Sequence, residues 1–506
     1  MSTAPVAARN VHRSVSSGVA SDLARSHGPA NQQTVLESAA GDRLDPGESM
    51  VAIPLQADPE VVAEGVNLMW VLVATFLVFF MHAGFGMLES GQVRSKNVAN
   101  QLTKNVLTWG VGVIAYFFIG AGVSVAVAAL TTGGGIDGAF SYINGGSTVW
   151  TNWLFGAAFS MVAASIVSGA VAERAQLGGY LVFTVFVGAL IYPVATGLTW
   201  GGGFLAELGF QDFAGAAIVH MTGGICGLTA AYVIGPRIDK FDDNGAANVI
   251  PGHSLPYAIL GTLILAFGWY GFNVGTAIEV FQVSDGGELA LGDYAYAGRV
   301  ALNTALVMGA GSIGAAAVGY ARRGKVDTLM TANGLLAGLV SVCSIAAVSS
   351  WTGTLVVGLI AGIQVPLVFD LLERVGIDDV CAVFPVHGSA GVLSALAYPF
   401  VDTTSAFSVS QLVSQIAGVV VLAIWAAGIT LLIYGLLKAL GWARVTREEE
   451  IEGLDASEHG LETYPEFGKN FLDDATASAR VPDGADGTPA ADGGERTDGG
   501  EVSGDD

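Results

Sequence analysis

Long apolar segments fill residues 65–447 of this chain and limit the folds that it can adopt. A helix needs about 20 apolar residues to cross a bilayer. Eleven candidate segments lie at approximately 65–88, 102–127, 152–173, 178–200, 213–234, 255–280, 297–321, 328–348, 352–373, 380–400 and 411–440. Only 13% of the 506 residues are charged, against about 25% in soluble proteins. The sequence predicts an all-α polytopic membrane protein and excludes a soluble enzyme.

The acidic charge lies mostly outside this apolar block. The formal net charge is −23, and residues 448–506 contain 18 acidic and 3 basic side chains, whereas residues 65–447 contain 18 and 14. No basic patch is present that could bind nucleic acid, so no nucleic-acid partner is expected. The three cysteines are dispersed, and we expect them to be core residues. No cofactor or metal site is predicted.

Basic residues are concentrated in alternate loops. Thirteen of the 14 basic residues in 65–447 fall on one side of the predicted helices, and only Arg299 falls on the other. Cytoplasmic loops carry an excess of Lys and Arg. The pattern therefore predicts a plasma-membrane protein with its N-terminus outside and its C-terminus in the cytoplasm.

Composition divides the chain into four regions. Residues 1–64 are polar, contain no visible signal peptide, and are expected to form a disordered extracellular extension; alternatively, translation starts at Met50. Residues 65–440 form the predicted transmembrane domain, and residues 441–467 a cytoplasmic segment. Residues 468–506 are acidic and rich in Gly and Ala, which predicts a disordered tail.

Two segments of the block resemble each other. DFAGAAIVHMTGG begins at Asp212, and DVCAVFPVHGSAG begins at Asp379. In each, the Asp precedes a histidine, His220 or His387, by eight residues. The segments lie five predicted helices apart, so they cross the membrane in opposite directions. This pattern indicates an inverted repeat of helices 1–5 and 6–10, with helix 11 outside it.

The paired histidines are candidate pore residues. Eight helical residues span about 12 Å, which places His220 and His387 near the bilayer centre, where ionisable residues usually mark a transport path. Two alternatives are separate packing roles and bis-histidine haem ligation. His82 has no repeat partner, and we expect it to be a packing or hydrogen-bonding residue. Asp212 either caps helix 5 or gives the outer mouth a negative charge.

Four motifs in order resemble the ammonium transporter family, Amt/Mep/Rh, of the archaeal and bacterial type. They are GMLESGQVRSKN (Gly86–Asn97), DFAGAAIVH, FGWYGFNVGTA (Phe267–Ala277) and FPVHGSAG (Phe384–Gly391). The resemblance covers residues 65–467. It implies a homotrimer with one narrow pore in each subunit.

The resemblance also implies a role for each pore residue. These residues are Phe159, Trp200, Thr276 and Asp212 at an outer ammonium site, Phe159 and Phe272 as a stacked gate, and His220 and His387 in the pore. Aromatic faces attract ammonium by roughly 0.5–2 kcal/mol each, but an apolar pore strongly disfavours a bare cation. We therefore expect ammonium to give up its proton and ammonia to pass the histidines, with or without a separate proton. Thr276 stands where many bacterial members have Ser, and Cys343 where relatives often have Thr.

The cytoplasmic segment resembles the family's regulatory tail, which implies coupling between subunits and binding of a PII-type signalling protein. The matching residues are Glu452, Gly453, Asp455, Glu458, His459 and Gly460. The alternative is a solvated acidic tether. Two other functions stay open for the whole protein, namely an ammonium sensor of the same fold and a transporter of another small solute. An enzyme is not expected, because no nucleophile or metal cluster accompanies the histidines.

Overall fold

The computed structural model describes residues 58–467 of the chain. The expectations for residues 1–57, including a start at Met50, and for residues 468–506 lie outside the described residues. The described part belongs to two units, which divide after Leu461. The second unit contributes residues 462–467, in which Pro465–Phe467 form a 3-10 turn.

Helices occupy all eleven predicted positions. Their bounds are α1 Pro59–Gln92, α2 Ser95–Thr131, α3 Ser147–Ala170, α4 Leu177–Leu198, α5 Ala216–Ile234, α6 Leu255–Thr276, α7 Asp293–Arg323, α8 Thr328–Val342, α9 Trp351–Arg374, α10 Phe384–Ser389 continued by Ala390–Val401, and α11 Val409–Ala439. Within residues 58–467, nine of them are long and apolar enough to cross a membrane; α8 is shorter, and α10 is not among the nine. The chain is thus a multi-pass membrane protein, and the count of eleven crossings stays a prediction.

Small elements connect and follow these helices. They are the helical turns Ser141–Asn144 and Phe204–Glu207, the antiparallel hairpin of β1 (Phe281–Val283) and β2 (Leu289–Leu291), and the helices α12 (Arg447–Glu452) and α13 (Leu454–His459). In the hairpin, Phe281 pairs with Leu291. We call the side of the bundle that contacts α12 and α13 the inner side, and the opposite side the outer side.

The first helix begins earlier than expected. The Asp58 side chain accepts a hydrogen bond from the Glu60 N–H at 3.0 Å, and Pro59 stands in the first turn. Both features favour a helix start. Residues 59–64, which the sequence placed in the extension, therefore belong to α1.

Glycines let neighbouring helices approach closely. A Cβ atom at Gly261 of α6 would lie 2.1 Å from the Leu88 backbone nitrogen of α1, and one at Gly362 of α9 would lie 2.0 Å from the Gly311 oxygen of α7. Such contacts are typical of membrane bundles, where small residues replace the hydrophobic effect as the basis of association. Large apolar side chains such as Ile424 and Leu432 are instead exposed on α11. This exposure is expected of a surface that faces lipid or another subunit.

The two repeat segments begin with the same local geometry. Gly215 before α5 and Ala382 before α10 both have positive φ, 91° and 55°. Asp212 accepts hydrogen bonds from backbone N–H groups at the start of α5, and Asp379 accepts two at the start of α10. Each helix then starts with a π-helical turn that contains the histidine. This shared geometry supports the inverted repeat.

A buried ionic network joins the loops of the inner side. Glu173 contacts Arg237 at 2.7 Å and Arg94 at 3.0 Å, and Arg237 contacts Asp378 at 2.8 Å. Burial alone would raise the pKa of the Glu173 carboxyl, but Arg237 and Arg94 outweigh it and lower that pKa to about 2. Burial would likewise raise the pKa of the Asp378 carboxyl. Arg174 and Arg237 outweigh burial and hold that pKa below its usual range. The network therefore holds charged carboxylates at neutral pH.

Candidate functional site

Two phenylalanines close the outer half of the bundle axis. The rings of Phe159 on α3 and Phe272 on α6 are stacked, with centroids 4.0 Å apart and planes at 18°. Both side chains are buried. The Trp200 ring meets Phe159 edge-on at 6.0 Å, and Phe155 lies 4.7 Å from Phe159. Aromatic faces therefore surround the outer approach to the stacked pair, and Phe155 was not predicted.

The polar groups of the predicted outer site are mostly bonded within the protein. The Trp200 indole N–H donates to the Asp212 carbonyl at 2.8 Å, and the Thr276 hydroxyl donates to the Phe272 carbonyl at 2.9 Å. The Thr276 oxygen keeps lone pairs that can accept from a ligand. Trp200 and Thr276 are half-buried, so a small molecule from the outer side can reach them.

Asp212 acts as a helix cap in this structure. Its carboxylate accepts from the backbone N–H groups of Ala216, Ala217 and Ile218 and from the Ser344 hydroxyl, at 2.7–2.9 Å. Burial raises the pKa of Asp212, and these donors oppose that rise. Of the two roles left open by the sequence, the capping role is the one that the contacts describe.

The two histidines meet directly below the phenylalanines. His220 lies 5.0 Å from the Phe272 ring and is stacked on Trp269 at 5.0 Å. The Nδ1 atoms of His220 and His387 are 3.3 Å apart, and their rings are nearly parallel. One Nδ1 can donate to the other, which leaves each Nε2 available to a small molecule. The Nδ1–Nδ1 distance is that of a hydrogen bond and is shorter than the separation of two nitrogens bonded on opposite sides of a haem iron.

His82 and Trp269 occupy equivalent places in the two halves. His82 Nδ1 lies 3.2 Å from the Ser165 hydroxyl of α3, and the Trp269 N–H donates to the Cys343 sulfur of α8 at 3.3 Å. His82 and Trp269 both stand two residues before a Gly-Phe pair, in α1 and α6. His82 thus has a repeat counterpart, the tryptophan Trp269, which the sequence analysis missed, and its ring is hydrogen-bonded to Ser165.

The inner half of the axis contains polar residues that the sequence analysis missed. A narrow cavity next to His387 is lined by Phe85 and Glu89 of α1 and by Asn333 of α8, among others. Glu89 accepts from Gln101, Asn105 and Ser168 at 2.6–2.7 Å. The repetition of Gly-Phe in GFGMLE and GFNVGT was the signal that could have revealed Phe85 and Glu89.

The predicted tail residues are docked on the inner ends of α2 and α4. Asp455 accepts from the Asn100 backbone N–H at 2.9 Å, and Glu458 accepts from the Leu177 N–H at 2.8 Å. His459 lies 3.2 Å from the Asn100 amide. Gly453 has φ of 118°, and Gly460 ends α13 with φ of 65°. Of the predicted residues, Glu452 is exposed. The contacts of Asp455 and Glu458 nevertheless show that α12 and α13 are docked on the bundle, and are not a solvated tether.

The model of the Ammonium Transporter Family matches residues 69–464. The chain belongs to this family. An Ammonium transporter Amt2 of Haloferax mediterranei is 57% identical over 430 residues, which are 83% of this chain and 94% of that protein. Ammonium transporter Amt1 of the same organism is 48% identical and covers 85% and 86%. Family membership confirms the resemblance, and these relatives are named as transporters rather than enzymes.

Solved structures of the Amt/Mep type share the fold. A protein titled Sensor Amt Protein is 32% identical, covers 79% of this chain and all of its own, and has a TM-score of 0.72. Candida albicans Mep2 is 24% identical with a TM-score of 0.66 over 78% of this chain and 89% of its own, and this likeness concerns the fold alone. The predicted all-α fold class is therefore confirmed.

Proposed function

We propose that this member of the Ammonium Transporter Family moves ammonium through the path from Trp200 to His387. Ammonium is attracted at the outer mouth by the faces of Phe159 and Trp200 and by the Thr276 oxygen. It gives up a proton at or above the stacked phenylalanines, and ammonia continues past His220 and His387. The proton either stays outside or passes separately along the histidines.

The single observation that carries this proposal is the position of the stacked Phe159–Phe272 pair directly above the paired histidines. A closed aromatic pair followed by two neutral imidazoles offers no full countercharge to a cation. The desolvation of a bare cation costs many kcal/mol, which the aromatic contacts do not offset. A neutral ammonia needs only hydrogen-bond partners, and each imidazole supplies a donor or an acceptor.

We further propose the assembly and orientation that the family resemblance implied. The protein is a homotrimer in the plasma membrane, with the inner side of the bundle facing the cytoplasm, as the distribution of basic residues indicates. The docked tail of α12 and α13 is a regulatory segment. A PII-type signalling protein binds on that face. Chemical cross-linking in native membranes tests the trimer, and co-purification tests the partner.

A second candidate function is ammonium sensing by the same fold. It is favoured by the likeness to the structure titled Sensor Amt Protein, at 32% identity. The two functions differ in flux, since a sensor binds ammonium without needing to move it. Transport measurements therefore separate them.

Uptake of radiolabelled methylammonium in cells that lack their own transporters tests the proposal. The wild-type chain should restore uptake, and Phe159→Ala should reduce it roughly 2- to 30-fold, the equivalent of one cation–π contact. Trp200→Ala should reduce it to a similar extent. Phe118→Ala, at a ring that is 61% exposed, is the control and should retain uptake. Ammonium binding without flux in the wild type would favour the sensor instead.

A further inference from the structure

The inner end of the path repeats the layout of the outer site. Gly271 and Phe272 of α6 are followed by Thr276, four positions after the Phe, and Gly84 and Phe85 of α1 are followed by Glu89 at the same spacing. Phe272 lies against His220 at 5.0 Å, and Phe85 lies against His387 at 6.5 Å. The inverted repeat thus places Glu89 where its other half places the predicted hydroxyl of the outer ammonium site.

A cavity connects Glu89 with the pore histidine. Glu89, Asn333 and His387 line the same narrow space on the inner side of the paired rings, with room for about one water-sized molecule. Phe85 and Leu336 form apolar walls of this space. A molecule that passes His387 therefore meets a carboxylate and an amide next.

The Asn333 amide has unused hydrogen-bonding capacity. The side chain is 1% exposed, and within the described residues neither its oxygen nor its nitrogen has a hydrogen-bond partner. A buried amide without hydrogen-bond partners costs free energy. Its position in a cavity of this size therefore points to a ligand that forms the missing hydrogen bonds. Ammonia and ammonium are small enough to do so.

Glu89 supplies a carboxyl group that has no directly bonded cation among the described residues. In the described part of the chain, its oxygens accept only from the neutral side chains Gln101, Asn105 and Ser168. Lys104 is also buried in the same region, but within residues 58–467 its Nζ has no hydrogen-bond partner and does not bond Glu89. The carboxylate oxygens have about four lone-pair positions, so Glu89 can still accept from a ligand.

From these observations we propose that Glu89 and Asn333 form an inner binding site for ammonium. Outgoing substrate binds there after it enters from the inner side, and incoming substrate binds there before it leaves on that side. This inference rests on the proposed transport of ammonium and adds a second site on that path. The Glu89 carboxylate and the Asn333 amide oxygen accept N–H bonds from the cation. Ammonia that leaves His387 Nε2 takes up a proton from the water of the inner side to become the ammonium bound at this site, and ammonium that enters from the inner side returns that proton to the same water before ammonia moves on to His387.

Infrared difference spectroscopy of the full chain in liposomes tests the inner site at equilibrium. Exchange of potassium for ammonium should change the carboxylate absorption of the wild type, and part of that change should disappear in Glu89→Gln. Asn333→Ala should keep the Glu89 signal but raise the half-saturating ammonium concentration at least about tenfold, as expected for the loss of one hydrogen bond from a charged ligand. Glu288→Gln, an exposed residue of the hairpin, is the control and should give the wild-type spectrum.

An unchanged difference spectrum in Glu89→Gln, together with an unshifted Asn333→Ala titration, would overturn the inner site. If thermal unfolding shows that Glu89→Gln is not folded, the Asn333→Ala titration alone decides, and an unshifted curve rejects the proposal. Ammonium flux is measured on the same wild-type liposomes. Absent flux would refute the proposed transport, while the spectra would still decide whether the inner site binds ammonium.

Discussion

Replacement of Asp212 by Asn should destabilise the protein because the carboxylate is almost entirely used as a cap. One carboxylate oxygen accepts from the Ala216 N–H and the Ser344 hydroxyl, and the other accepts from the N–H groups of Ala217 and Ile218. An Asn side chain replaces one of these oxygens by an NH₂ group. In one amide orientation the N–H groups of Ala217 and Ile218 lose their acceptor; in the other the Ala216 N–H loses its acceptor, while the Ser344 hydroxyl can accept from the NH₂ group.

The magnitude follows from the count of orphaned donors. A buried donor without a partner costs about 1–3 kcal/mol, so Asp212→Asn, with at least one such donor, should lower the free energy of unfolding by at least about 1–3 kcal/mol. Asp379 offers a matched control from the other half of the repeat. Each of its two oxygens accepts one backbone N–H. Asp379→Asn therefore orphans one donor and should cost about 1–3 kcal/mol.

Unfolding in mixed detergent micelles, followed by tryptophan fluorescence, measures both variants. We expect Asp212→Asn to lose at least as much stability as Asp379→Asn. A loss below about 1 kcal/mol for Asp212→Asn, combined with a large fall in ammonium flux, would refute the capping account. Asp212 would then act mainly by attracting the cation.

Two further predictions concern the inner side. Because Arg237 and Arg94 lower the pKa of Glu173 from 4.5 to about 2, the network should contribute about 3 kcal/mol of stability above pH 4.5 and lose it as the pH falls toward 2. Thermal unfolding should show that Glu173→Gln loses less stability than the wild type between pH 4.5 and pH 2. An identical loss of stability in the two proteins would contradict this. Gly453→Ala should release the tail, since φ is 118° and a Cβ would lie 2.7 Å from the Lys96 Cβ; limited proteolysis should cleave the variant before α12 faster than the wild type, and equal rates would show that the tail stays docked.

The repeat is the part of the site that the sequence could predict. Two Asp–His pairs at the same spacing were sufficient to place His220 and His387 on equivalent helices, and the structure brings them together at 3.3 Å. Glu89 was missed because α1 and α6 share only the Gly-Phe pair. A pattern of two residues is too short to align the two helices unless their packing is already known.

Other features depend on contacts that no local pattern encodes. The π-helical turns that contain His220 and His387 arise where the preceding residues adopt positive φ, and the Ala382 side chain gives no hint of that conformation. The tail pattern indicated a regulatory segment but not which residues of the bundle it contacts, because Asn97 and Asn100 lie more than 350 residues before Leu454 and Glu458, which they bind. The helices α8 and α10 leave the number of membrane crossings a prediction.

Ammonium and potassium flux into proteoliposomes tests the central claim most directly. Purified full-length protein is reconstituted, each cation is applied as an equal gradient, and current and internal pH are recorded together against protein-free liposomes. The account predicts a protein-dependent ammonium signal that is strongly reduced by Phe159→Ala, and no signal with potassium, since potassium has no proton to give up. Potassium flux equal to ammonium flux, or no ammonium flux under any gradient, would contradict it.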